Sequence, residues 1–205
     1  MNRVITYVDG FNLYFGMREK NWRRYYWLDL VGLSKSFLRA NQRLEHCHYF
    51  TARVRDCAGS QDARRQSTYL DALDALPDLT THYGHYLAKL RQCRTCGATW
   101  TQYEEKMTDV NIAVQLLTDA YEDHFDTAII VSGDSDLTTP VQQIRKRFPH
   151  KRMVIAFPPV RRSDQLKQVA NAWFVIGQDK LRKNQLPDPV TTPTGHLLRR
   201  PEHWR

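Results

Sequence analysis

Ala128-Ile129-Ile130-Val131-Ser132-Gly133-Asp134-Ser135-Asp136 is the stretch that decides how this chain folds. Four apolar residues in unbroken succession make the kind of strand that is buried on both faces of a parallel sheet, because a half-exposed strand would alternate. The run stops on a small, polar, acidic turn. The same pattern occurs at the start of the chain, where Val4, Ile5, Tyr7 and Val8 lead into Asp9-Gly10. Two buried strands thus end in carboxylates. In open parallel sheets, functional groups gather beyond the carboxyl ends of the strands, where strand order switches. The two acidic turns are therefore expected to share one crevice.

Working outward, a helix is expected over Leu30 to Arg39 and a strand over His46 to Arg53. A helix from Gln61 to Leu76 has Leu70, Leu73 and Leu76 on a common side and is stopped by Pro77. His82 to Leu87 reads as a further strand, after which RQCRTCGATW leaves regular structure as an insertion around 91–104. Thr108 and Asp109 open an amphipathic helix whose apolar positions are Val110, Ala113, Val114, Leu117 and Tyr121. Beyond SGDSD come a helix (137 to 148), a strand (152 to 157) and a helix (163 to 172). This alternation predicts an α/β fold of three layers, α/β/α, around a mostly parallel sheet. One domain is expected over 1–180. The Pro-rich segment 181–205 is expected to be an arm that lies on the domain or is partly mobile.

The 205 residues carry a formal charge of +8, which makes a polyanion the default partner. No run of about 18 apolar residues exists, so no membrane association is expected. The N-terminus runs straight into a core strand, and a cytoplasmic location is expected. Four cysteines, with Cys93-x-x-Cys96 among them, fit reduced thiols better than a disulfide scaffold.

An Asp after a strand most often forms a turn or caps a helix. The joint pattern asks for more. Asp9 and Asp134 follow buried strands, Asp109 opens a helix, and Asp136 lies two residues past Asp134. If these meet at one edge, several carboxylates fall close together, and like charges in a low-dielectric crevice repel strongly. A hard divalent cation, Mg²⁺ or Mn²⁺, relieves that repulsion and suits oxygen ligands. Gly133 permits close backbone approach, Ser132 and Ser135 supply short polar groups, and the Asn12 amide is placed to orient a water or a carboxylate.

VDGFNLYFG (8–16), EKMTDVNIAVQLLTDA (105–120) and IIVSGDSDLTTPVQQIRKRFPHKRMVIAFPP (129–159) resemble the NYN domain, a branch of the PIN-like nucleases. The blocks occur in family order and span roughly residues 3 to 176. The resemblance implies a PIN-like, Rossmann-like fold. It also implies an Mg²⁺ or Mn²⁺ site built from Asp9, Asp109 and Asp134, with Asp136 and Asn12 assisting and Ser132 nearby. The activity it implies is that of a ribonuclease, expected to be an endoribonuclease leaving a 5′-phosphate.

Cys93-Arg94-Thr95-Cys96-Gly97 has the turn of a zinc knuckle and can supply half of a tetrahedral Zn²⁺ site. Cys57, Cys47, His82 and His85 are the candidates for the other half, and a plain reduced hairpin is the alternative. Among the basic residues, Arg161 and Arg162 follow a strand at the edge assigned to the carboxylates and are the expected RNA backbone contacts. Tyr14, Phe15, Trp22, Tyr25, Tyr26 and Trp27 either stack unpaired bases or pack in the core. A haloacid-dehalogenase-like phosphatase would need a second Asp where Phe11 stands. A non-catalytic RNA-binding or assembly module that has kept an acidic pocket is the other alternative.

Overall fold

In the computed structural model, residues 1–54 and 60–205 are described, with 102–105 described by backbone alone. Strand β1 (Asn2–Asp9) leads directly into α1 (Gly10–Glu19) and then α2 (Leu30–Lys35). Strand β2 (Gln42–Thr51) is followed by α3 (Gln61–Asp74) and β3 (Leu79–Tyr83). A hairpin of β4 (His85–Gln92) and β5 (Thr99–Lys106) precedes α4 (Thr108–Tyr121) and β6 (Thr127–Val131). The 3-10 turn Ser135–Leu137, α5 (Thr138–Arg147), β7 (Arg152–Phe157), α6 (Asp164–Val169) and β8 (Ala172–Val175) follow. The chain closes with α7 (Gln178–Lys183), the short strands β9 (Val190–Thr191) and β10 (Leu197–Leu198), and the turn Glu202–Trp204.

The central sheet has six strands in the order β3-β2-β1-β6-β7-β8, and every adjacent pair is parallel. Strand order reverses at β1/β6, so that junction is the switch point. Side-chain alternation along β1 divides the core in two. Val4 and Val8 pack with Leu13 and Met17 of α1, Leu30 of α2 and Leu70 of α3 on one face. Ile5 and Tyr7 pack with Ile112 and Leu116 of α4, Ile144 of α5 and Leu166 of α6 on the other. The result is the expected three-layer α/β/α fold. No helix among the described residues is long and apolar enough to cross a membrane.

Several expected elements move. The third sheet strand is Leu79–Tyr83; Gly84 breaks it, and His85 begins the separate β4–β5 hairpin. The insertion read as irregular is therefore an antiparallel ladder from His85↔Lys106 to Gln92↔Thr99. The helix placed at 163–172 ends at Val169, and Ala172–Val175 adds a sixth strand at the sheet edge. In α4 the buried stripe is Ile112, Leu116, Asp119 and Ala120, whereas Val110 and Val114 are 52% and 58% exposed.

Asp119 explains why that other stripe faces inward. Its Oδ2 accepts the Tyr7 hydroxyl at 2.7 Å and lies 3.4 Å from His48 Nε2; Oδ1 accepts from Gln115 at 3.0 Å. His48 Nδ1 in turn bonds His82 Nε2 at 2.9 Å, and the His82 ring stacks on Phe50. A buried carboxylate with this many partners pins α4 to β1, β2 and β3.

Segment 181–205 lies on the domain and enters its core. Leu181, Leu186, Val190 and Trp204 are buried, and Trp27 Nε1 donates to the Pro187 carbonyl at 2.9 Å. The Trp204 ring meets Tyr26, Tyr69 and Trp27 at 5.7, 6.0 and 6.5 Å.

Two stability predictions follow from these contacts. Trp204→Ala should cost about 3 kcal/mol or more, as large-to-small changes at buried aromatics do, measured as a lower urea midpoint. An unchanged midpoint would mean that Trp204 is not packed in solution as described. For pH, burial and then the neighbouring His48 bring His82 down to about 4 from its ordinary 6.5, so the fold prefers the neutral ring. That contribution is complete above pH 6.5 and is lost as pH falls toward 4. Urea midpoints should fall across that window in the wild type and fall less in His82→Leu; equal slopes would contradict the network.

Candidate active site

The register of β1 and β6 builds the site. Val8 pairs with Val131, so the next residues, Asp9 and Ser132, leave the sheet side by side at the switch point. Asp9 caps α1, its Oδ1 accepting the Asn12 amide at 3.0 Å. Its Oδ2 accepts the Asn12 side-chain amide at 2.6 Å and the Ser132 hydroxyl at 2.8 Å. The same Ser132 oxygen accepts the Asp134 amide at 3.0 Å, and Asn12 Oδ1 accepts the Gly133 amide at 3.3 Å. Asp134 caps the 3-10 turn through the Asp136 amide at 3.0 Å. Four of the residues singled out in the sequence thus form one hydrogen-bonded unit: Asp9, Asn12, Ser132 and Asp134.

The electrostatics of this unit favour a cation. Burial pushes the Asp9 carboxyl up and the charge of Asp134 adds to the rise, while the bonds from Asn12 and Ser132 oppose it. Among the described residues, Asp9 receives hydrogen bonds from the neutral donors Asn12 and Ser132 and from no Lys or Arg. Mg²⁺ characteristically binds through one or two carboxylates and keeps several waters. The hard-oxygen pair Asp9 and Asp134 fits that chemistry.

The wider acidic cluster does not assemble as expected. Among the described residues, no three His, Cys, Asp or Glu lie together as a ready metal site. Asp134 caps the 3-10 turn from outside in extended conformation, whereas Asp136 lies within the turn. Asp136 is exposed and lines a separate hollow with Thr138, Thr139 and Gln142 of α5 and Gln165 and Gln168 of α6. Asp109 is half-buried in the first turn of α4, a helix that packs against the 3-10 turn.

Arg161 stands over the acidic turn, but its charge is engaged. Its guanidinium pairs with Glu19, and its backbone lies so close to Gly133 that an added Cβ there would sit 2.8 Å from the Arg161 carbonyl carbon. Val160 beside it has φ 54°, rare for a β-branched residue and costing about 1–3 kcal/mol, so surrounding packing must hold this loop in place. Arg162 is exposed. Neither the Glu19 pairing nor the positive φ of Val160 is signalled by the sequence. A lone Glu at a helix end and a Val in a loop carry no sequence signal for either.

The Cys93–Cys96 pair sits at the tip of the hairpin, where Gly97 takes φ 72° and Cys93 N bonds Ala98 O at 2.8 Å. The amides of Cys96 and Thr95 bring the Cys93 thiol down to about 7. Of the two readings of this motif, the zinc site is not completed among the described residues. Cys47 is buried beside Ser34, His82 is bound to His48, and Cys57 lies outside the described residues. The described hairpin is held by its own β-ladder.

A six-stranded parallel sheet with helices on both faces and an acidic pair at its switch point defines a PIN-like α/β domain. The NYN domain model matches residues 3–177, and the chain belongs to that family, a branch of the PIN-like nuclease superfamily. It is 29% identical over 177 residues to 6-hydroxy-3-succinoylpyridine 3-monooxygenase HspA of Pseudomonas putida. That match covers 70% of this chain and 55% of the relative, so the chain spans little more than half of that protein's length. A protein of unknown function from Vibrio parahaemolyticus has a similar fold, with a TM-score of 0.57 at 18% identity, covering 90% of this chain and 96% of that one.

Gly133→Ala tests how tightly the acidic turn is packed. The added methyl meets backbone, not a flexible side-chain tip, so overpacking should cost about 1–3 kcal/mol in urea unfolding and disturb Asp134. A variant as stable as wild type would show that the Arg161 loop yields freely.

Proposed function

We propose that this chain is a metal-dependent ribonuclease, cutting RNA internally through an Mg²⁺ or Mn²⁺ site at the end of β1 and β6. One observation carries the proposal: a buried carboxylate, Asp9, is tied to Asn12 and Ser132 and feels the charge of a second carboxylate, Asp134, at the switch point. Asp9 and Asp134 would hold the ion. Its chemistry when bound is to make a coordinated water acidic and to offset charge that builds on the phosphodiester oxygens. Asn12 and Ser132 fix the Asp9 carboxylate in one orientation, as outer-shell partners of a metal ligand do. Asp109, in the first turn of the helix that packs against the acidic turn, would hold a water or take up a proton, and Asp136 would bind water from its neighbouring hollow. The exposed Arg162 and the net charge of +8 suit the approach of an anionic strand.

A second reading follows the relative's name, a monooxygenase acting on a substituted pyridine. It draws support from an aromatic-lined hollow beside α1. The readings part on phosphodiester cleavage.

The decisive experiment incubates end-labelled RNA with purified protein and Mn²⁺ or Mg²⁺. Wild type is expected to yield internal fragments, and Asp9→Asn and Asp134→Asn to reduce cleavage to background with unchanged circular dichroism. Ser132→Ala should lower it by about 10–100-fold. Cleavage that persists in both Asp variants would assign the activity elsewhere. A wild type inert on all RNA would favour a binding module or the second reading.

A further inference from the structure

The hollow beside α1 has a volume of about 300 Å³, at the lower end of cavities that enclose a small ligand. It begins at Gly10 and Phe11, the residues immediately after Asp9, and runs along α1 to Arg18. Its far walls come from β2, α3, the hairpin and the C-terminal turn, contributing Tyr49, Tyr69, Tyr86 and Trp204. Gly10 creates the close approach of the first wall: an added Cβ would lie 2.8 Å from the Tyr49 ring and hydroxyl. The exposed rim has Tyr14 on one side and the ion pair Arg65–Asp62 on the other.

These features select a ligand class. Eight of the nineteen lining residues are aromatic, a share that suits a flat π-system better than a flexible chain, since aromatic faces attract one another in stacked or edge-on geometry. Ring pairs already surround the space, with Phe11 edge-on to Tyr86 at 6.4 Å and Tyr14 beside Tyr26 at 5.0 Å. The guanidinium of Arg65 and the carboxylate of Asp62 offer a donor and an acceptor at the mouth, which match the mixed polar edge of a nitrogen heterocycle. Arg18, at the far end of the α1 wall, adds positive charge that suits a ligand joined to a phosphate chain. Tyr14 is five residues past Asp9, roughly 8 Å along the helix axis. That is a distance a single nucleotide can span between its phosphate and its base.

Resting on the ribonuclease reading, we propose that this hollow receives one unstacked base of the RNA strand whose neighbouring phosphate lies at Asp9 and Asp134. The hollow then gives cleavage a base preference. Stacking on aromatic side chains is how proteins commonly hold unpaired bases. Tyr14 is the rim residue that closes over the base, and the Arg65–Asp62 pair reads its edge.

The test separates this site from the acidic pair. Adenosine, guanosine, cytidine and uridine are titrated, in chelator and without any phosphate group, against wild type, Asp134→Asn, Tyr14→Ala and Arg65→Ala. Tyr14 is 39% exposed and Arg65 is half-buried at the surface, so both variants should fold, which circular dichroism checks. At least one nucleoside is expected to bind wild type and Asp134→Asn alike and to be displaced by short single-stranded RNA. Tyr14→Ala should bind it about tenfold more weakly. In the cleavage assay Tyr14→Ala should cut with a flatter base preference. No nucleoside binding by wild type, or binding unaltered in both rim variants, overturns the proposal even if RNA is still cut. Nucleoside binding that RNA does not displace identifies a free heterocycle as the ligand and overturns it too. Binding and displacement as expected, with RNA left uncut, sustain the pocket and remove the nuclease reading alone.

Discussion

The parallel pairing of β1 with β6 is the constraint on which the rest depends. It joins segments 123 residues apart and makes the Ser132 hydroxyl a donor to Asp9. It also sets the switch in strand order, because the chain adds β2 and β3 on one side of β1 and β7 and β8 on the other. Shifting this register by one residue would exchange the two faces of β1, placing Ile5 and Tyr7 against α1 and breaking the Tyr7–Asp119 bond. Fold and site are therefore specified by the same ladder.

Each carboxylate of the acidic unit also serves the backbone. Asp9 caps α1 and Asp134 caps the 3-10 turn, so the ordinary role of Asp after a strand is filled by the same carboxylates to which the proposed chemistry is assigned. Capping fixes the rotamer; the shared Ser132 oxygen fixes the distance. Asp9 is left with an unfavourable burial that neutral donors only partly offset. Such a residue is poised for a positive partner, whether metal or proton.

Much of the fold was legible because buried parallel strands are written as unbroken apolar runs: Ala128 to Val131 and Val4 to Val8 needed no tertiary information. The acidic pair was legible for the same reason, since each member follows such a run. The face of α4 was not. Val110, Val114 and Tyr121 form as good an apolar stripe as Ile112, Leu116 and Ala120, and the choice between them is made by Asp119 finding Tyr7 and His48, partners distant in the chain. The strand Ala172–Val175 is short and lies at an edge, so periodicity could not separate it from the preceding helix. The aromatic stretch 14–27 divides: Tyr25, Tyr26 and Trp27 are buried, the last two against Trp204 from a distant part of the sequence, while Tyr14 and Phe15 stay at the surface. Asp136 meets Asp134 through its backbone amide, a capping contact that the spacing of the two acids does not reveal.

The long reach between β1 and β6 also shapes how the protein comes into being. Ribosomes add about 5–20 residues per second, so Asp9 waits several seconds before Ser132 and Asp134 exist to meet it. Until then β1, the central strand, has only β2 beside it and no acidic partner. The pair arises only once β6 has been made, and residues later still bring Trp204 against Trp27. The switch point at the centre of the sheet is thus completed only when chain 123 residues beyond Asp9 has been made, a delay that comes from topology alone.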